Sequence, residues 1–291
     1  VVVQGFTFVR NAIRYDYPVE ASIRSLLPLC ETVTVCLGQS EDGTEALIAR
    51  LQAEFPGQLR ILPSVWDDSL REGGRVLAVE TDKAYAAIAP GAHWCIYLQA
   101  DEVLHEQEYP ALRDAMRRWQ DDPRVEGLAL PYRHFWGSYD WVGSSRKWYR
   151  REVRVVRQHP QLHSYKDAQG FRLAGRPLRV KLAPAHVHHY GWVRDPRAMQ
   201  DKVREFHRLW HDDQWVAHYV PDTPTFDYTG IDALARYTGT HPAVMQDRIA
   251  RLNWDFRPPQ HFKQSLKDRL LYAIERRTGH RLFEYRNYKL L

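Results

Sequence analysis

Four short stretches hold residues whose types and spacing could do chemistry. The first is LQADE, residues 98–102, where an apolar run from Trp94 to Leu98 stops and Asp101 and Glu102 follow at once. A buried strand gains nothing from two carboxylates at its tip, whereas a hard divalent cation requires carboxylate oxygens on just such a loop. Asp101 could equally cap the start of a helix. The second is GQSEDGT, residues 38–44, in which Ser40, Asp42 and Gly43 suit either a tight turn or the rim of a nucleotide site. The third is HVHHYGWVR, residues 186–194. On an extended strand His186 and His188 face one way and His189 the other, so an imidazole could complete a metal site, or all three could be ordinary hydrogen-bonded histidines. Arg194 could face a phosphate. No cysteine or carboxylate stands at zinc-finger spacing from these histidines, which argues against a structural zinc. The fourth is SYKDAQGF, residues 164–171, where Asp167 is either a general base or an ion-paired loop acid.

The elements that must position these residues follow from periodicity. Val1 to Phe8, Thr32 to Leu37, Leu59 to Leu62 and Trp94 to Leu98 are short, apolar and β-rich, and read as strands. Between them, Val19 to Leu29, Thr44 to Phe55 and Val76 to Ile88 carry apolar residues at helical spacing. Strands alternating with helices predict a parallel, doubly wound sheet, and such sheets bind ligands beyond the carboxyl ends of their strands. That rule places Phe8 to Asn11, Gly38 to Thr44 and Gln99 to Glu102 along one edge. Further on, Val125 to Leu130 and Val153 to Val156 read as strands, and Val180 to Tyr190 as another. The stretch between the first two, RHFWGSYDWVGSSRKWYRR, is crowded with aromatics and arginines. From Met199 the spacing of Met199, Val203, Phe206 and Trp210 marks an amphipathic helix, and Leu266, Leu270 and Ile274 share the face of a later one. The expected organisation is therefore a catalytic α/β domain over residues 1–198 and a helical C-terminal region over 199–291.

Composition bounds the function classes. The 291 residues carry a net charge of +5, an excess that suits nucleotides, phosphosugars or an anionic surface but is too weak to argue for nucleic acid. The three cysteines, Cys30, Cys36 and Cys95, are too few for a disulfide framework and read as buried thiols in a reducing compartment. No signal-peptide pattern and no membrane-length apolar run is present, so a cytoplasmic location is expected. From Lys263 onward eight Lys or Arg face three Asp or Glu, which allows peripheral contact with the inner face of a membrane. Ten Trp and sixteen Tyr are many for this length, and exposed aromatics stack on sugars and nucleobases.

FVRN after the first strand, QSEDGT after the second, LQADE after the fourth and the later HHYGWVR occur in an order that resembles the bacterial family 2 glycosyltransferases. The resemblance runs from about Val1 to Arg194. It implies a GT-A fold, a Rossmann-like, mostly parallel sheet flanked by helices. It also implies an inverting enzyme of polysaccharide biosynthesis that moves a sugar from a nucleotide donor to a glycan, glycolipid or other hydroxyl acceptor. On this resemblance Phe8, Val9, Arg10 and Asn11 line the nucleotide site, and Gly38, Gln39, Ser40 and Asp42 pass near the base and ribose. Arg75, Asp82 and Lys83 border the donor, and Arg194 faces its phosphates. The acidic metal motif falls on Gln99, Ala100 and Asp101, so that Asp101 with His189, or His188 in its place, would hold Mn²⁺ or Mg²⁺. Asp167 matches the general base, with Asp140 as the fallback. His134, Trp136, Tyr139 and Trp141 are expected to form one wall of an acceptor groove.

Two features depart from the family pattern. Gln99 stands where a first carboxylate is usual, and Gly38 stands near the position of an Asp that reads uracil. A nucleotidyltransferase acting on a sugar phosphate is the competing enzyme reading, and GFTFVRN is poor in the glycines and basic residues that its phosphate loop would need. A catalytically degenerate sugar-binding or scaffold protein on the same fold is the non-enzymatic alternative.

Overall fold

The computed structural model describes residues 1–291. The first half alternates strands and helices: β1 (Val3–Val9), α1 (Val19–Leu26), β2 (Thr32–Gly38), α2 (Thr44–Glu54), β3 (Leu59–Ser64), α3 (Arg75–Ala86) and β4 (Trp94–Tyr97). β5 (Glu102–Leu104) and α4 (Tyr109–Arg118) follow, then the long β6 (Gly127–Trp136), β7 (Ser138–Gly143) and β8 (Arg151–Val156). A small three-stranded sheet comprises β9 (Leu162–Tyr165), β10 (Gly170–Leu173) and β11 (Arg176–Pro177). β12 (Arg179–Leu182) and β13 (Val187–Trp192) precede α5 (Pro196–Arg208), α6 (Asp213–Tyr219), β14 (Leu234–Arg236), α7 (Gln246–Ala250), α8 (Leu266–Thr278) and β15 (Lys289–Leu290).

The result is a mixed α/β fold with one large sheet. Its main path runs β14-β7-β6-β8-β4-β1-β2-β3, and β4, β1, β2 and β3 are mutually parallel. Side chains on these strands alternate between two cores, as the pleat requires. Val33, Val35, Trp94, Ile96 and Leu98 pack with Ile23 and Leu26 of α1, Ile48 of α2 and Leu112 of α4. Phe6, Phe8, Cys36, Cys95 and Tyr97 face the other way, onto Val76 and Leu77 of α3 and Phe171 of β10. Helices thus cover both faces of the parallel part. All three cysteines are buried and free.

The stretch read from sequence as one strand over 180–190 is two strands. β12 stops before Pro184, which has no N–H to continue a ladder. The two halves then pair with different ends of β6: Val180 lies opposite Gly127, and His189 opposite His134. β13 is also antiparallel to β5, with His189 opposite Glu102. This long-range pairing brings β13 beside the end of β4, and no local periodicity encodes it.

Candidate active site

β1 and β4 end side by side, and the loops that leave them form the floor of a cleft of about 360 Å³. That is the size of a small-molecule site. Phe8, Val9, Arg10, Asn11, Gln99, Ala100, Asp101, Asp167 and His189 all line it. The loop after β1 is stitched to the loop after β2. Asn11, in the left-handed region at φ 52°, accepts from Glu41 N at 2.8 Å and donates its own N–H to Ser40 Oγ at 3.1 Å. Thr44 Oγ1 accepts from Ala12 N at 2.7 Å, and Asp42 accepts from Arg14 N at 2.7 Å and Thr44 N at 2.9 Å.

Asp101 and Glu102 have separate environments. Glu102 faces the interior and is fully buried against Arg154, with two bonds of 2.8 Å, while Tyr132 Oη donates to it at 2.7 Å and Gln99 N at 3.1 Å. It is the anchor of the turn. Asp101 begins no helix, so the capping alternative is not realised. Its carbonyl accepts from Tyr190 N at 2.8 Å, which locks its backbone to β13. Its carboxylate lies 3.8 Å from His189 Nε2 and 3.6 Å from Lys202 Nζ on α5. Burial alone would raise the Asp101 pKa, but His189, Lys202 and Arg194 outweigh it and hold the carboxyl below its ordinary value. Burial, with repulsion from Arg194, pushes Lys202 down to about 7 against the pull of Asp101.

Gly191 is why the acid and the imidazole meet. A Cβ there would lie 2.5 Å from His189 Nε2 and 2.9 Å from Asp101 Oδ2, so any side chain would fill the space between them. Asp101 and His189 offer two ligand atoms, and no cluster of three or more His, Cys, Asp or Glu that could hold a metal ion is present. A pair of this kind fits a cation that takes its remaining oxygens from water and a substrate diphosphate, as Mg²⁺ commonly does. The glycine cradle supports that fit.

Asp167 sits in a turn whose neighbours Lys166 and Ala168 both have positive φ (55° and 63°). Burial raises its pKa, against the opposing pull of Lys166 and Arg154. Gln99, at the position of the missing acid, reaches the same turn through Nε2 to Ala168 O at 3.4 Å.

Other expected site residues lie outside the cleft wall. Gly38, Gln39, Ser40 and Asp42 do not line the cleft; Ser40 and Asp42 support the loop after β1. The volume that a side chain would need at Gly38 is filled by the Trp66 indole, so no carboxylate could stand there. Arg75 is exposed; Asp82 accepts from Ser164 N at 2.6 Å; Lys83 is bonded to Glu80 at 2.6 Å. Asp82, and Lys83 through Ser64 Oγ at 2.9 Å, tie α3 to β9 and β3. Arg194 is fully buried behind the cleft, with its guanidinium over the Tyr17 ring and donating to Tyr15 O. His188 faces away from the cleft onto Arg133 and Tyr237, and burial drives its pKa down to about 2. Asp140 is exposed on β7, outside the cleft. The four residues expected to form an aromatic acceptor wall also lie outside this cleft. His134 lies beneath His189, Trp136 packs on Tyr228, Tyr139 packs on Tyr190, Trp141 sits on β7, and none of them lines the cleft. Gly137, at φ 70°, turns the chain between β6 and β7 and disperses the four.

Sequence reasoning missed Tyr15, Tyr17, Trp66, Tyr149, Trp192, Lys202, Glu205 and Phe206, which also line the cleft. Arg10 lies over the Trp66 ring at 5.3 Å and pairs with Asp68 at 2.6 Å. The one usable signal was α5: Lys202 sits beside Val203 and Phe206 of the apolar stripe, as a cation on a face otherwise expected to be buried.

No family model and no curated protein sequence matches the chain. Among solved structures it is similar to S. aureus TarS at 11% identity, over 71% of this chain and 39% of that one, with a TM-score of 0.37. A TarS 1–349 structure in complex with UDP matches at 12% identity, over 75% and 68% of the two chains, with a TM-score of 0.38. Glucosyl-3-phosphoglycerate synthase from Mycobacterium tuberculosis, in complex with Mn²⁺, UDP and phosphoglyceric acid, matches at 16% identity over 45% and 43%, with a TM-score of 0.30. This chain spans less than half the length of the first and third of these proteins. The likeness is one of broad α/β layout.

Proposed function

We propose that the protein is a nucleotide-sugar-dependent glycosyltransferase, of the bacterial family 2 type with a GT-A fold, that inverts the transferred sugar. One observation carries this reading. Four segments remote in sequence, FVRN, LQAD, the Asp167 turn and His189, converge on a single cleft at the carboxyl ends of parallel strands. Residues 1–198 would form the catalytic unit, and 199–291 would add α5, whose Lys202 and Phe206 reach the cleft.

Phe8, Arg10, Asn11 and Trp66 would bind the nucleoside, and Gln99 and Ala100 would border the sugar. The indole at Trp66 replaces the acidic uracil reader, which leaves the base to be recognised by ring contact and by Arg10. Asp101 and His189 would hold Mn²⁺ or Mg²⁺, which when bound supplies Lewis-acid stabilisation of the leaving diphosphate. Lys202, buried beside Asp101, would add positive charge to the same region when protonated. Asp167 would take the proton from the acceptor hydroxyl as that oxygen attacks the anomeric carbon and the nucleoside diphosphate leaves from the opposite face. Burial raises its pKa above the ordinary carboxylate value, which makes it a stronger base. The acceptor would be a glycan or glycolipid of polysaccharide biosynthesis, at the cytoplasmic side of a membrane.

α8 supports that last assignment. None of its residues is buried, Leu266 is 82% and Leu270 63% exposed, and Lys267, Arg269, Arg276 and Arg277 are exposed around them. Its acids point elsewhere: Asp268 caps the helix with Ser265, and Glu275 pairs with Arg146 and Arg281. An apolar face ringed by uncompensated cations matches an anionic bilayer surface.

The test, run with Mn²⁺, is release of nucleoside diphosphate from UDP-, GDP- and dTDP-linked sugars and of CMP from CMP-linked ones. Asp167→Asn is expected to slow release by about 10²- to 10⁴-fold and to leave the thermal shift by donor intact. Pyrophosphate formation from a nucleoside triphosphate and a sugar 1-phosphate would favour the nucleotidyltransferase. Silence with every sugar, and no shift by any nucleotide, would leave only the scaffold.

A further inference from the structure

His134 and His189 face each other from neighbouring strands, directly opposite in register on β6 and β13. Their Nδ1 atoms are 3.0 Å apart, so one must donate and the other accept. The other ring nitrogen of His134, Nε2, lies 2.8 Å from the Tyr149 carbonyl oxygen. A carbonyl can only accept, so His134 must carry its proton on Nε2. His134 is enclosed by the rings of Tyr132, Trp148 and Tyr149, with centroids 4.8–5.2 Å away, and no carboxylate bonds to it. In that shell it is neutral and has one N–H. Its Nδ1 is therefore a lone pair and accepts from Nδ1–H of His189. A neutral His189 then has a bare Nε2, and that atom is the one 3.8 Å from the Asp101 carboxylate, above Gly191.

We infer that His134 is a positioning residue: through the Tyr149 carbonyl it fixes His189 in the tautomer whose Nε2 lone pair faces Asp101. Two acceptors facing one another across a glycine cradle attract a cation. This is the ligand form of the imidazole, oriented from behind as metal-bound histidines generally are. The inference rests on the proposed function only in naming a divalent cation as what arrives there; the tautomer is a property of the protein alone. It also gives His134, expected from sequence at an acceptor wall, a different place.

The experiment is long-range ¹H–¹⁵N correlation of the histidine side chains in the full chain without metal at neutral pH. His189 is assigned by the signal lost in His189→Gln. The expected result is His189 as the Nδ1–H tautomer and His134 as the Nε2–H tautomer, whereas free imidazole side chains favour Nε2–H. His189 found as Nε2–H, or protonated on both nitrogens, overturns the inference. His134→Phe keeps a ring but removes the acceptor, so His189 should revert to Nε2–H and Mn²⁺ affinity, read by electron paramagnetic resonance, should fall by about 10- to 100-fold. His134→Asn, whose amide oxygen can take the place of Nδ1, should restore both. If the wild-type tautomer is as derived but Mn²⁺ does not bind, the relay stands and the cation reading falls.

Discussion

Gly191→Ala isolates the geometry of the site in one methyl group. The added Cβ would lie 2.5 Å from His189 Nε2, 2.7 Å from His189 Cε1 and 2.9 Å from Asp101 Oδ2. Ordinary carbon contacts are about 3.5–4.0 Å, so something must move by roughly 1 Å. Neither neighbour can yield freely. His189 is held from behind by His134, and Asp101 is tied through its carbonyl to Tyr190 N. The backbone at 191 is not in the left-handed region, so the effect is steric and not conformational. Overpacking of a rigid interior typically costs about 1–3 kcal/mol, so the variant should fold with a modestly lower urea midpoint. A displacement of about 1 Å at reacting groups costs about 10²-fold in rate. Diphosphate release by the best donor should fall by that factor, with a higher Mn²⁺ concentration needed for half-maximal rate. Gly230→Ala, where nothing lies within 4 Å of the new Cβ, is the control and should behave as wild type. A Gly191→Ala enzyme with full turnover and unchanged cation dependence would refute the assignment of Asp101 and His189 as a working pair.

Glu102→Gln leaves Arg154 buried without its counter-charge, so it should lower unfolding free energy by about 3–5 kcal/mol in urea titration. Arg154→Met should cost a similar amount, and the double variant less than the sum. Glu152 is buried, and burial lifts its pKa from 4.5 to about 8, against the pull of Arg154 and of the Asn287 amide bonded to it at 3.0 Å. A carboxyl raised in the folded state binds its proton more tightly there than in the unfolded chain. Its stabilising effect is complete below pH 4.5 and is lost as pH rises towards about 8, at up to ~1.4 kcal/mol per unit. Melting temperatures of Glu152→Gln should accordingly decline less than wild type between pH 5 and pH 8. For α8, the protein should sediment with vesicles containing anionic lipid and not with neutral ones, and Leu266→Glu with Leu270→Glu should abolish this without changing the melting temperature. Equal binding to both vesicle types would remove the electrostatic part of the argument.

The parallel half of the fold was legible because its signals are local. β2 and β4 lie within a residue or so of the runs marked by alternating apolar residues, and α1 to α3 follow the 3.6-residue stripe. Strand ends in such a sheet share an edge, so FVRN and LQAD could be brought together on paper. What sequence could not supply depends on pairings between distant strands. β6 is ten residues long and pairs with β8 and β12 at one end and with β7 and β13 at the other. That division decides that His189, and not His188, faces Asp101. It also decides that His134 is a partner of His189 while Trp136 and Tyr139 fall into separate packing clusters. Lys202 and Trp66 enter through contacts with no sequence period at all.

The charges around Asp101 do not balance within the protein. The buried Arg194, and Lys202 when protonated, bring more positive charge to this region than one carboxylate offsets. Arg194 is fully buried, and its Nε and Nη2 have no hydrogen-bond partner. Burying a guanidinium with unused donors is costly unless something charged completes the site. A structural ion pair would have been built with matching charges, as Glu102 and Arg154 are a few ångströms away. The excess of positive charge at Asp101 therefore points to an anion that is not part of the chain. On the proposed function, a nucleoside diphosphate would supply that charge at the mouth of the same cleft. Its arrival would also draw the Lys202 proton more firmly onto the amine, because a second negative group opposes the repulsion by Arg194. On the same function Arg194 would act from behind Tyr17 as a long-range complement to the phosphates, even though its side chain lines no part of the cleft wall.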